Sequence, residues 1–192
     1  MNDHSCGDHN SFRDTINSSC CVFVIGVAGD SGSGKTTFTR AIRTIFGEDM
    51  VSTISLDDYH TLDREERQRT GITPLSPEAN DFSLLEKHVA LLRQGKPVEK
   101  PVYNHASGKI EGPVRFNPTG VIILEGLHTF STERLRSLID FSIYVSPATD
   151  VKYAWKINRD VRLRGYREED VLAELESRRA DYERYVMPQR QY

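Results

Sequence analysis

The sequence predicts an α/β fold in which a doubly wound, mostly parallel sheet is flanked by helices. One observation is that short apolar runs, of the kind buried on both faces of a parallel sheet, alternate with longer segments of helical periodicity. The other is a glycine-rich loop, residues 29–36, between the first such run and the first such helix. In a sheet of this type, ligands bind at the carboxyl ends of the strands.

The first strand, helix and second strand are predicted from residues 22–56. Residues 22–28 form a continuous apolar, β-branched run, which predicts a buried strand. The helix after the glycine-rich loop is indicated by apolar residues at helical spacing, namely Phe38, Ala41, Ile42 and Ile45. Gly47 is placed to cap its end. Residues 51–56 predict a second strand, which ends at Asp57 and Asp58.

The middle of the chain departs from this alternation. Residues 59–80 carry many charges without clean periodicity, which predicts a mostly irregular segment of an active site. Asp81 is placed to cap a helix that ends at Gly95. That helix is expected to bury four apolar residues: Leu84, Leu85, Val89 and Leu92. Residues 97–116 then predict a β-hairpin outside the main sheet, with its turn at 106–109.

The last third of the chain returns to strands and helices. Residues 121–124 predict a buried strand that ends at Glu125, and residues 141–145 predict another strand. A helix over residues 131–138 is expected between them. Two more helices complete the prediction, over residues 150–163 and 168–185.

Length and charge narrow the classes of function. The 192 residues suit one domain, predicted over residues 22–192, and the net charge of −3 argues against a nucleic-acid-binding protein. No apolar stretch approaches the ~20 residues of a transmembrane helix. Residues 1–21 are polar and partly acidic and contain no apolar h-region, which predicts a flexible tail rather than a targeting signal. We therefore expect a cytoplasmic protein without a membrane partner.

The three cysteines lie near the N-terminus, at Cys6, Cys20 and Cys21, and their odd number argues against a disulfide framework. His4, Cys6 and His9 could act as metal ligands, although their spacing fits no structural zinc pattern. A disordered tail without a metal is the simpler alternative.

The glycine-rich loop carries the clearest chemistry. It matches the pattern G-x-x-x-x-G-K-[ST] between a strand and a helix, which predicts binding of the ATP triphosphate together with Mg²⁺. Glycines let backbone N–H groups approach the phosphates, and the helix N-terminus adds unpaired donors. Lys35 is predicted to reach the β and γ phosphates, and Thr36 to ligate Mg²⁺. The predicted ATP-binding residues are Gly29, Asp30, Ser31, Gly32, Ser33, Gly34, Lys35, Thr36 and Thr37.

Acidic residues follow two of the other predicted strands. Asp57 or Asp58 is placed to accept a proton from a hydroxyl group that attacks the γ-phosphate. Since adjacent residues of an extended backbone point to opposite sides, at most one of the two faces the reacting group. Glu125 is placed to hold the metal or its water shell. The alternative for each of them is a solvated or capping carboxylate.

Charged residues near the C-terminal end of the helix over 150–163 form a weaker candidate site. Lys156, Asp160 and Arg164 are four residues apart and share one helix face, with Arg159 beside them. They are either a surface ladder of ion pairs or part of a mobile lid that brings cations to a phosphate. A glycine directly after Arg164 would end the helix and provide a hinge.

Taken together, these residues resemble the phosphoribulokinase and uridine kinase family over about residues 22–192. The matching blocks are SLDDYH at 55–60, LDR at 62–64, PEANDF at 77–82, EKPVYNH at 99–105, LEGLH at 124–128 and KINRDVRLRG at 156–165. The pattern departs from the family signature at Arg167, where Ser or Thr is expected. The resemblance implies ATP-dependent phosphorylation of ribulose 5-phosphate to ribulose 1,5-bisphosphate, a reaction of carbon fixation.

The resemblance also implies roles for individual residues. Asp57 would be the general base, while Lys35, Glu125 and Asp160 would assist the metal and the phosphoryl group. The implied sugar-phosphate site consists of His60, Arg64, Tyr103, His105, Lys156, Arg159 and Arg164. A phosphorylated sugar requires cations that a nucleoside does not require, which makes Arg64 the discriminating residue.

Two departures from the family pattern carry further expectations. Ser33 and Ser55 stand where plant-type members have the cysteines of a regulatory disulfide, so the resemblance implies that this chain lacks thioredoxin control. Family members continue past residues 188–192 into a further strand, which implies that the C-terminal strands of longer members lie outside this sequence. The alternatives left open are a uridine kinase-like or other pentose kinase, and a nucleotide-binding module without turnover. A homodimer is also left open.

Overall fold

The computed structural model describes Asp14, Ile16, Ser19 and residues 21–192. Most of the predicted tail therefore lies outside the described residues, as do Cys6, Cys20 and the candidate metal ligands His4 and His9. Within the described part of the chain, no helix combines the length and the apolar character that a membrane crossing requires.

The described residues form six β-strands. In chain order these are β1 (Phe23–Gly29), β2 (Val51–Ser55), β3 (Val98–Asn104), β4 (Lys109–Phe116), β5 (Val121–Gly126) and β6 (Phe141–Val145). Four of them form a parallel sheet in the order β2-β5-β1-β6. Strands β3 and β4 form a separate antiparallel hairpin. The predicted parallel sheet and the hairpin outside it are thus confirmed.

Helices of very different length connect these strands. In chain order they are α1 (Lys35–Phe46), α2 (Arg64–Thr70), α3 (Phe82–Arg93), α4 (Glu133–Ser137), α5 (Thr149–Arg164), α6 (Glu168–Ser177) and α7 (Arg179–Asp181). Short 3₁₀ segments lie at Leu56–Tyr59, Pro77–Ala79 and Met187–Gln191, and a π-helical turn lies at Tyr182–Val186.

The sheet separates two hydrophobic cores. On one face, Ile122 and Leu124 of β5 pack in a cluster with three buried residues of α3: Leu85, Val89 and Leu92. On the other face, Val121 and Ile123 pack in a cluster with Ile42 of α1. Successive residues of a strand point to opposite faces, so both faces of β5 are covered. This is why the strand consists of a continuous apolar run rather than an alternating one.

The two helices predicted from apolar spacing are buried to different degrees. In α3 the predicted apolar face is buried or half-buried, and the Asp81 carboxylate caps the helix as expected. In α1, Ile42 is buried, but Phe38 and Ile45 are 39% and 71% exposed. Thr39 takes the second buried position of α1. The spacing therefore predicts the helix correctly while giving only part of its buried face.

The segment predicted to be mostly irregular contains the seven-residue helix α2, which the prediction did not include. A capping box fixes its start, because Asp63 accepts a hydrogen bond from the Glu66 backbone and Glu66 Oε2 accepts one from the Asp63 N–H at 2.8 Å. Gly71, in the left-handed conformation at φ 72°, ends the helix. The helix has no apolar periodicity because its buried residue is Arg67.

The helix predicted over residues 168–185 is present, but a turn at Arg178 divides it, and its C-terminal part consists of α7 and the π-helical turn. After Ser177 the chain passes through α7, the π-helical turn and the 3₁₀ segment at Met187–Gln191. Gln189 is buried there, accepting a hydrogen bond from the Phe130 N–H at 2.9 Å and donating one to the Leu127 carbonyl at 2.8 Å.

The register of the sheet aligns the strand ends that precede candidate site residues. Glu125 of β5 pairs with Val27 of β1 and with Ser55 of β2. The glycine-rich loop follows β1 directly, and Asp57 lies two residues after Ser55. Three neighbouring strands therefore deliver their polar residues to the same edge of the sheet, as the sequence predicts.

Candidate active site

The glycine-rich loop, residues 29–36, joins β1 to α1 and is called the phosphate loop below. Gly32 and Gly34 have φ angles of 80° and 93°, a left-handed conformation that favours glycine. The Ser31 N–H donates to the Asp30 carboxylate at 2.7 Å. Helix α1 begins after Gly34 without a side-chain capping bond, so its first-turn N–H groups can donate to an anion.

Lys35 lies across the base of the phosphate loop. Its Nζ donates to the carbonyls of Gly29 at 3.0 Å and Asp30 at 2.9 Å. Desolvation by the surrounding loop lowers the pKa of the Lys35 ammonium, while the charges of Glu125 and Asp57 act in the opposite direction. The lysine therefore lies within electrostatic reach of both carboxylates that the sequence placed at the strand ends.

Glu125 is hydrogen-bonded to the first turns of α1. Its Oε1 accepts from Thr36 Oγ1 at 2.6 Å, and its Oε2 accepts from Thr39 Oγ1 at 2.7 Å. The structure thus joins Thr36 and Glu125, the two residues predicted to hold a metal. Thr39 also bonds Glu125, and sequence reasoning missed it because its partner lies in a distant strand.

Asp57 and Asp58 lie in the 3₁₀ segment after β2 rather than in extended backbone. The Ser55 hydroxyl accepts a hydrogen bond from the Asp57 N–H at 3.3 Å, which turns the chain at the strand end. The Asp57 carboxylate is half-buried, whereas Asp58 is buried and turned toward the hairpin. The two carboxylates face different partners, as the sequence predicts, although a turn rather than a strand separates them.

Two histidines approach the Asp57 carboxylate. His60 Nε2 lies 3.9 Å from Asp57 Oδ1, and His105 Nε2 lies 3.5 Å from Asp57 Oδ2. The Tyr103 ring stands edge-on to both imidazoles, with centroids 5.2 and 5.0 Å away. Burial lowers the pKa of His60, and the Asp57 charge opposes that shift. These residues, joined only by resemblance in the sequence, form one wall of the site.

Arg64 connects this wall to the turn of the hairpin. Its NH2 group donates to the His105 carbonyl at 2.6 Å, and its backbone N–H donates to the Gly108 carbonyl at 2.8 Å. A Cβ at Gly108 would lie 2.8 Å from Arg64 Cβ, so glycine is required for this approach. Within the described residues, no carboxylate lies within ion-pair distance of Arg64.

Arg67 is a buried cation of this region that sequence reasoning missed. Its guanidinium donates to the Tyr103 hydroxyl at 2.7 Å and to the Leu62 carbonyl at 2.6 Å. It also lies over the Tyr103 ring, 5.1 Å from the centroid. The available signal was the capping box, which places Arg67 on the first turns of a helix.

The charged residues of α5 form one network centred on Asp160. Its carboxylate accepts from Lys156 Nζ and Arg159 Nε, each at 2.8 Å, and Arg164 NH1 lies 3.2 Å away. Burial favours the protonated form of Asp160, but the hydrogen bonds from Arg159 and Lys156 outweigh it and hold the pKa of that carboxyl below its usual range. Lys156 and Asp160 are buried, which excludes the solvated surface ladder.

Helix α5 lies directly against the phosphate loop. A Cβ at Gly32 would come within 2.7 Å of Lys156 Cβ, so the backbones approach closely. Arg159 NH2 lies 3.4 Å from the Ser31 hydroxyl, and Lys152 Nζ pairs with Asp30 at 2.6 Å. The cations of α5 are therefore held beside the loop that the sequence assigns to phosphate.

A cavity of about 300 Å³ lies beside the phosphate loop. Its lining includes Asp30, Ser33, Tyr144, Lys152, Tyr182 and Arg190. The Ser33 hydroxyl is buried there without a hydrogen-bond partner in the described residues. An orphaned buried hydroxyl next to a cavity indicates a place where a ligand could supply the missing bond.

Metal binding at this site depends on few protein ligands. The described residues contain no group of three or more His, Cys, Asp or Glu side chains that could hold a metal ion. Thr36 and Glu125 provide oxygen donors 2.6 Å apart at the end of the phosphate loop. Such a pair suits Mg²⁺, which takes few protein oxygens and completes its shell with phosphates and water.

Comparisons with known proteins agree with this geometry. The sequence model of the Phosphoribulokinase / Uridine kinase family matches residues 24–192. The phosphoribulokinase of Synechocystis sp. is 45% identical over 171 residues, which are 89% of this chain and 52% of that protein. The uridine kinase of Geobacillus sp. is 37% identical over 175 residues, which are 88% of this chain and 82% of that protein. This chain spans about half the length of the phosphoribulokinases it matches.

A solved structure supports the same fold. The phosphoribulokinase from Rhodobacter spheroides superposes with a TM-score of 0.66 at 24% identity, covering 90% of this chain and 68% of that one. At this identity the likeness establishes the fold alone. The predicted doubly wound, mostly parallel sheet flanked by helices is confirmed.

His128 lies buried close to this wall and generates a prediction about pH. Its Nδ1 lies 3.0 Å from the Ser131 hydroxyl, and its ring stands edge-on to Phe82. Burial lowers the pKa of His128 from 6.5 to about 4. Between these two pH values the unfolded chain binds a proton that the folded chain does not bind.

The free energy of unfolding should therefore fall as the pH decreases from about 6.5 to about 4, by on the order of 3 kcal/mol from His128. Urea unfolding of the wild type and of His128→Gln, at about pH 7.5 and about pH 5, measures this. The wild type should lose more stability on acidification than the variant. Equal losses in the two proteins would contradict the assignment to His128.

Proposed function

We propose that this chain, which belongs to the phosphoribulokinase and uridine kinase family, transfers the γ-phosphate of ATP to the O1 hydroxyl of ribulose 5-phosphate. The products are ribulose 1,5-bisphosphate and ADP. Identity to the Synechocystis phosphoribulokinase, at 45%, exceeds identity to the Geobacillus uridine kinase, at 37%, and favours the sugar phosphate over a nucleoside.

One observation carries the proposal: the Asp57 carboxylate lies where the phosphate loop and the hairpin meet. Its charge acts on Lys35 of the loop. Its two oxygens lie 3.9 and 3.5 Å from Nε2 of His60 and His105. A carboxylate between a phosphate-binding loop and a second polar wall is placed to accept the proton of an attacking hydroxyl group.

In the proposed reaction, a bond forms between O1 of the sugar and the γ-phosphorus while the bond from that phosphorus to the β–γ bridging oxygen breaks. The O1 proton passes to Asp57, and ADP leaves. Lys35 and the cations of α5 would balance the negative charge of the transferred group, which is the main contribution a protein makes to phosphoryl transfer. Asp160 keeps Lys156 and Arg159 in place through two hydrogen bonds of 2.8 Å.

We assign Mg²⁺ to Thr36 and Glu125, whose hard oxygen donors fit that ion. When bound, Mg²⁺ would neutralise charge on the β and γ phosphates. The cavity of about 300 Å³ beside the loop is the proposed place of the nucleoside part of ATP. Its volume lies at the lower limit of ~300–1,000 Å³ for small-molecule sites.

The phosphate group of the sugar itself is assigned to Arg64. This guanidinium uses one donor group on the His105 carbonyl and lies within no ion pair of the described residues. It thus contacts the residue whose imidazole Nε2 lies 3.5 Å from the Asp57 carboxylate. A nucleoside substrate would leave this charge unused, so Arg64 supports ribulose 5-phosphate over uridine.

The first test is ADP release by this chain with ATP and Mg²⁺, and with ribulose 5-phosphate or uridine as the acceptor. We expect turnover with ribulose 5-phosphate to exceed turnover with uridine. Faster phosphorylation of uridine would replace the proposal by a uridine kinase-like activity. ATP binding without turnover on either acceptor would favour a nucleotide-binding module.

The second test is Asp57→Asn, which keeps the shape of the side chain and removes the base. We expect kcat to fall by ~10²–10⁴-fold with little change in ATP affinity, because general-base catalysis contributes that factor. Steady-state kinetics and calorimetric titration with ATP measure the two quantities. The exposed carboxylate variant Asp170→Asn is the control, and unaltered kcat in Asp57→Asn would remove Asp57 from the mechanism.

The third test is Arg64→Ala, compared with Arg69→Ala, an exposed position of the same helix. A hydrogen bond to a charged group contributes roughly 1.5–3 kcal/mol, so the KM for ribulose 5-phosphate should rise about 10- to 100-fold in Arg64→Ala. The KM for ATP should stay near that of the wild type. If both arginine variants have the wild-type KM for the sugar phosphate, Arg64 does not bind it.

A further inference from the structure

We infer that Asp58 is a positioning residue: it fixes the β3–β4 hairpin against the turn that holds Asp57 and thereby sets the affinity for the sugar phosphate. The inference rests on the proposed function for its kinetic consequence. Its structural part, the placement of the hairpin by Asp58, stands on contacts that are independent of the reaction.

The Asp58 carboxylate makes two bonds, and both go to β3. Its Oδ2 accepts from Lys100 Nζ at 2.5 Å, and its Oδ1 accepts from the Tyr103 N–H at 2.9 Å. Asp58 and Lys100 are 8% and 6% exposed, so the ion pair is shielded from water. A shielded pair that loses one partner leaves the other charge buried without compensation, which makes the contact sensitive to mutation.

The two bonds bracket an irregularity in the hairpin. The pairing of β3 with β4 shifts register between Lys100 and Val102. Such bulges re-aim the side chains that follow them. Asp58 holds β3 on both sides of the shift, at Lys100 and at Tyr103, and so determines where the chain beyond it points.

The residues after the shift are the ones that face the proposed base. Tyr103 stands between the imidazoles of His60 and His105, and His105 Nε2 lies 3.5 Å from Asp57. Strand β4, which covers the other edge of β3, is mostly exposed and provides little apolar anchoring. Polar bonds therefore hold this part of the hairpin: Asp58 bonds Lys100 and the Tyr103 backbone, and Arg67 bonds the Tyr103 hydroxyl.

Other anchors hold the two ends of the hairpin, and in its middle the Tyr103 hydroxyl accepts a hydrogen bond from Arg67 NH2 at 2.7 Å. At its base, Val98 belongs to the core cluster beneath the sheet, and Phe116 packs against that cluster. Near its turn, the Ile110 N–H donates to Asp63 at 2.7 Å, and the Arg64 N–H donates to the Gly108 carbonyl at 2.8 Å. Loss of the Asp58 contacts should therefore displace the middle of the hairpin without unfolding it.

The chain offers a matched control in Asp140. Its Oδ2 accepts from Arg93 NH1 at 2.9 Å and from the Val24 N–H at 2.8 Å. Like Asp58, it joins one cation and one backbone N–H, but it lies at the opposite end of the sheet, before β6. Asp140→Asn therefore reproduces the chemical change of Asp58→Asn away from the proposed site.

The experiment measures KM for ribulose 5-phosphate and for ATP in the wild type, Asp58→Asn and Asp140→Asn. We expect Asp58→Asn to raise the KM for ribulose 5-phosphate about tenfold, the effect of weakening one charge-assisted contact, and to leave the KM for ATP within about twofold. Asp140→Asn should change neither value. Equal KM values for ribulose 5-phosphate in the two variants would overturn the inference.

Hydrogen exchange gives a readout that does not depend on turnover. In Asp58→Asn, the backbone amides of residues 98–116 should exchange faster than in the wild type, and in Asp140→Asn they should not. Wild-type exchange in Asp58→Asn would overturn the inference even if the kinetics changed. If the wild type lacks turnover with ribulose 5-phosphate, the proposed function fails, and hydrogen exchange still tests the placement of the hairpin.

Lys100→Gln removes the same ion pair from the hairpin side and serves if Asp58→Asn does not fold. Like Asp58→Asn, it should raise the KM for ribulose 5-phosphate. In the double variant the two effects should not add, because both changes remove one shared contact. Full additivity would show that Asp58 and Lys100 act separately and would contradict the inference.

Discussion

Parallel pairing of β5 with both β1 and β2 is the constraint on which the candidate site depends. It sets Glu125 level with Val27 and Ser55, so the phosphate loop and the turn after β2 start from the same edge of the sheet. Thr36 reaches Glu125 from the loop side, while the turn after β2 presents its carboxylates on the other side. A shift of one residue in this register would turn Glu125 toward a hydrophobic core.

Paired charges attach helix α5 and the β3–β4 hairpin to that edge of the sheet. Helix α5 is held by the network around Asp160, and the hairpin by the bond between Asp58 and Lys100. A buried charge is stable only where a partner compensates for lost hydration. The charges of the site therefore hold its elements in place as well as serving its chemistry, and Arg64 lies outside these pairs.

The sequence predicts the sheet well because local patterns record burial directly. Strand β6 has the predicted bounds, and the strand ends carry the predicted polar residues. Thr39 and Arg67 could not be found in this way, since their partners, Glu125 and Tyr103, are distant in the chain. The contacts of Gln189 with the loop after β5 are equally distant in the chain. Long-range polar contacts leave no periodic trace in a sequence, and this accounts for the errors.

The absence of a side chain at Gly32 has a consequence for how the sequence can vary. Because a Cβ there would meet Lys156, a larger residue at position 32 requires a compensating change in α5. A bulkier residue in the loop would lift the helix and carry Lys156 and Arg159 with it. The glycine thus sets the separation between the two segments, and with it the distance from the ammonium and guanidinium groups of α5 to an anion bound in the loop.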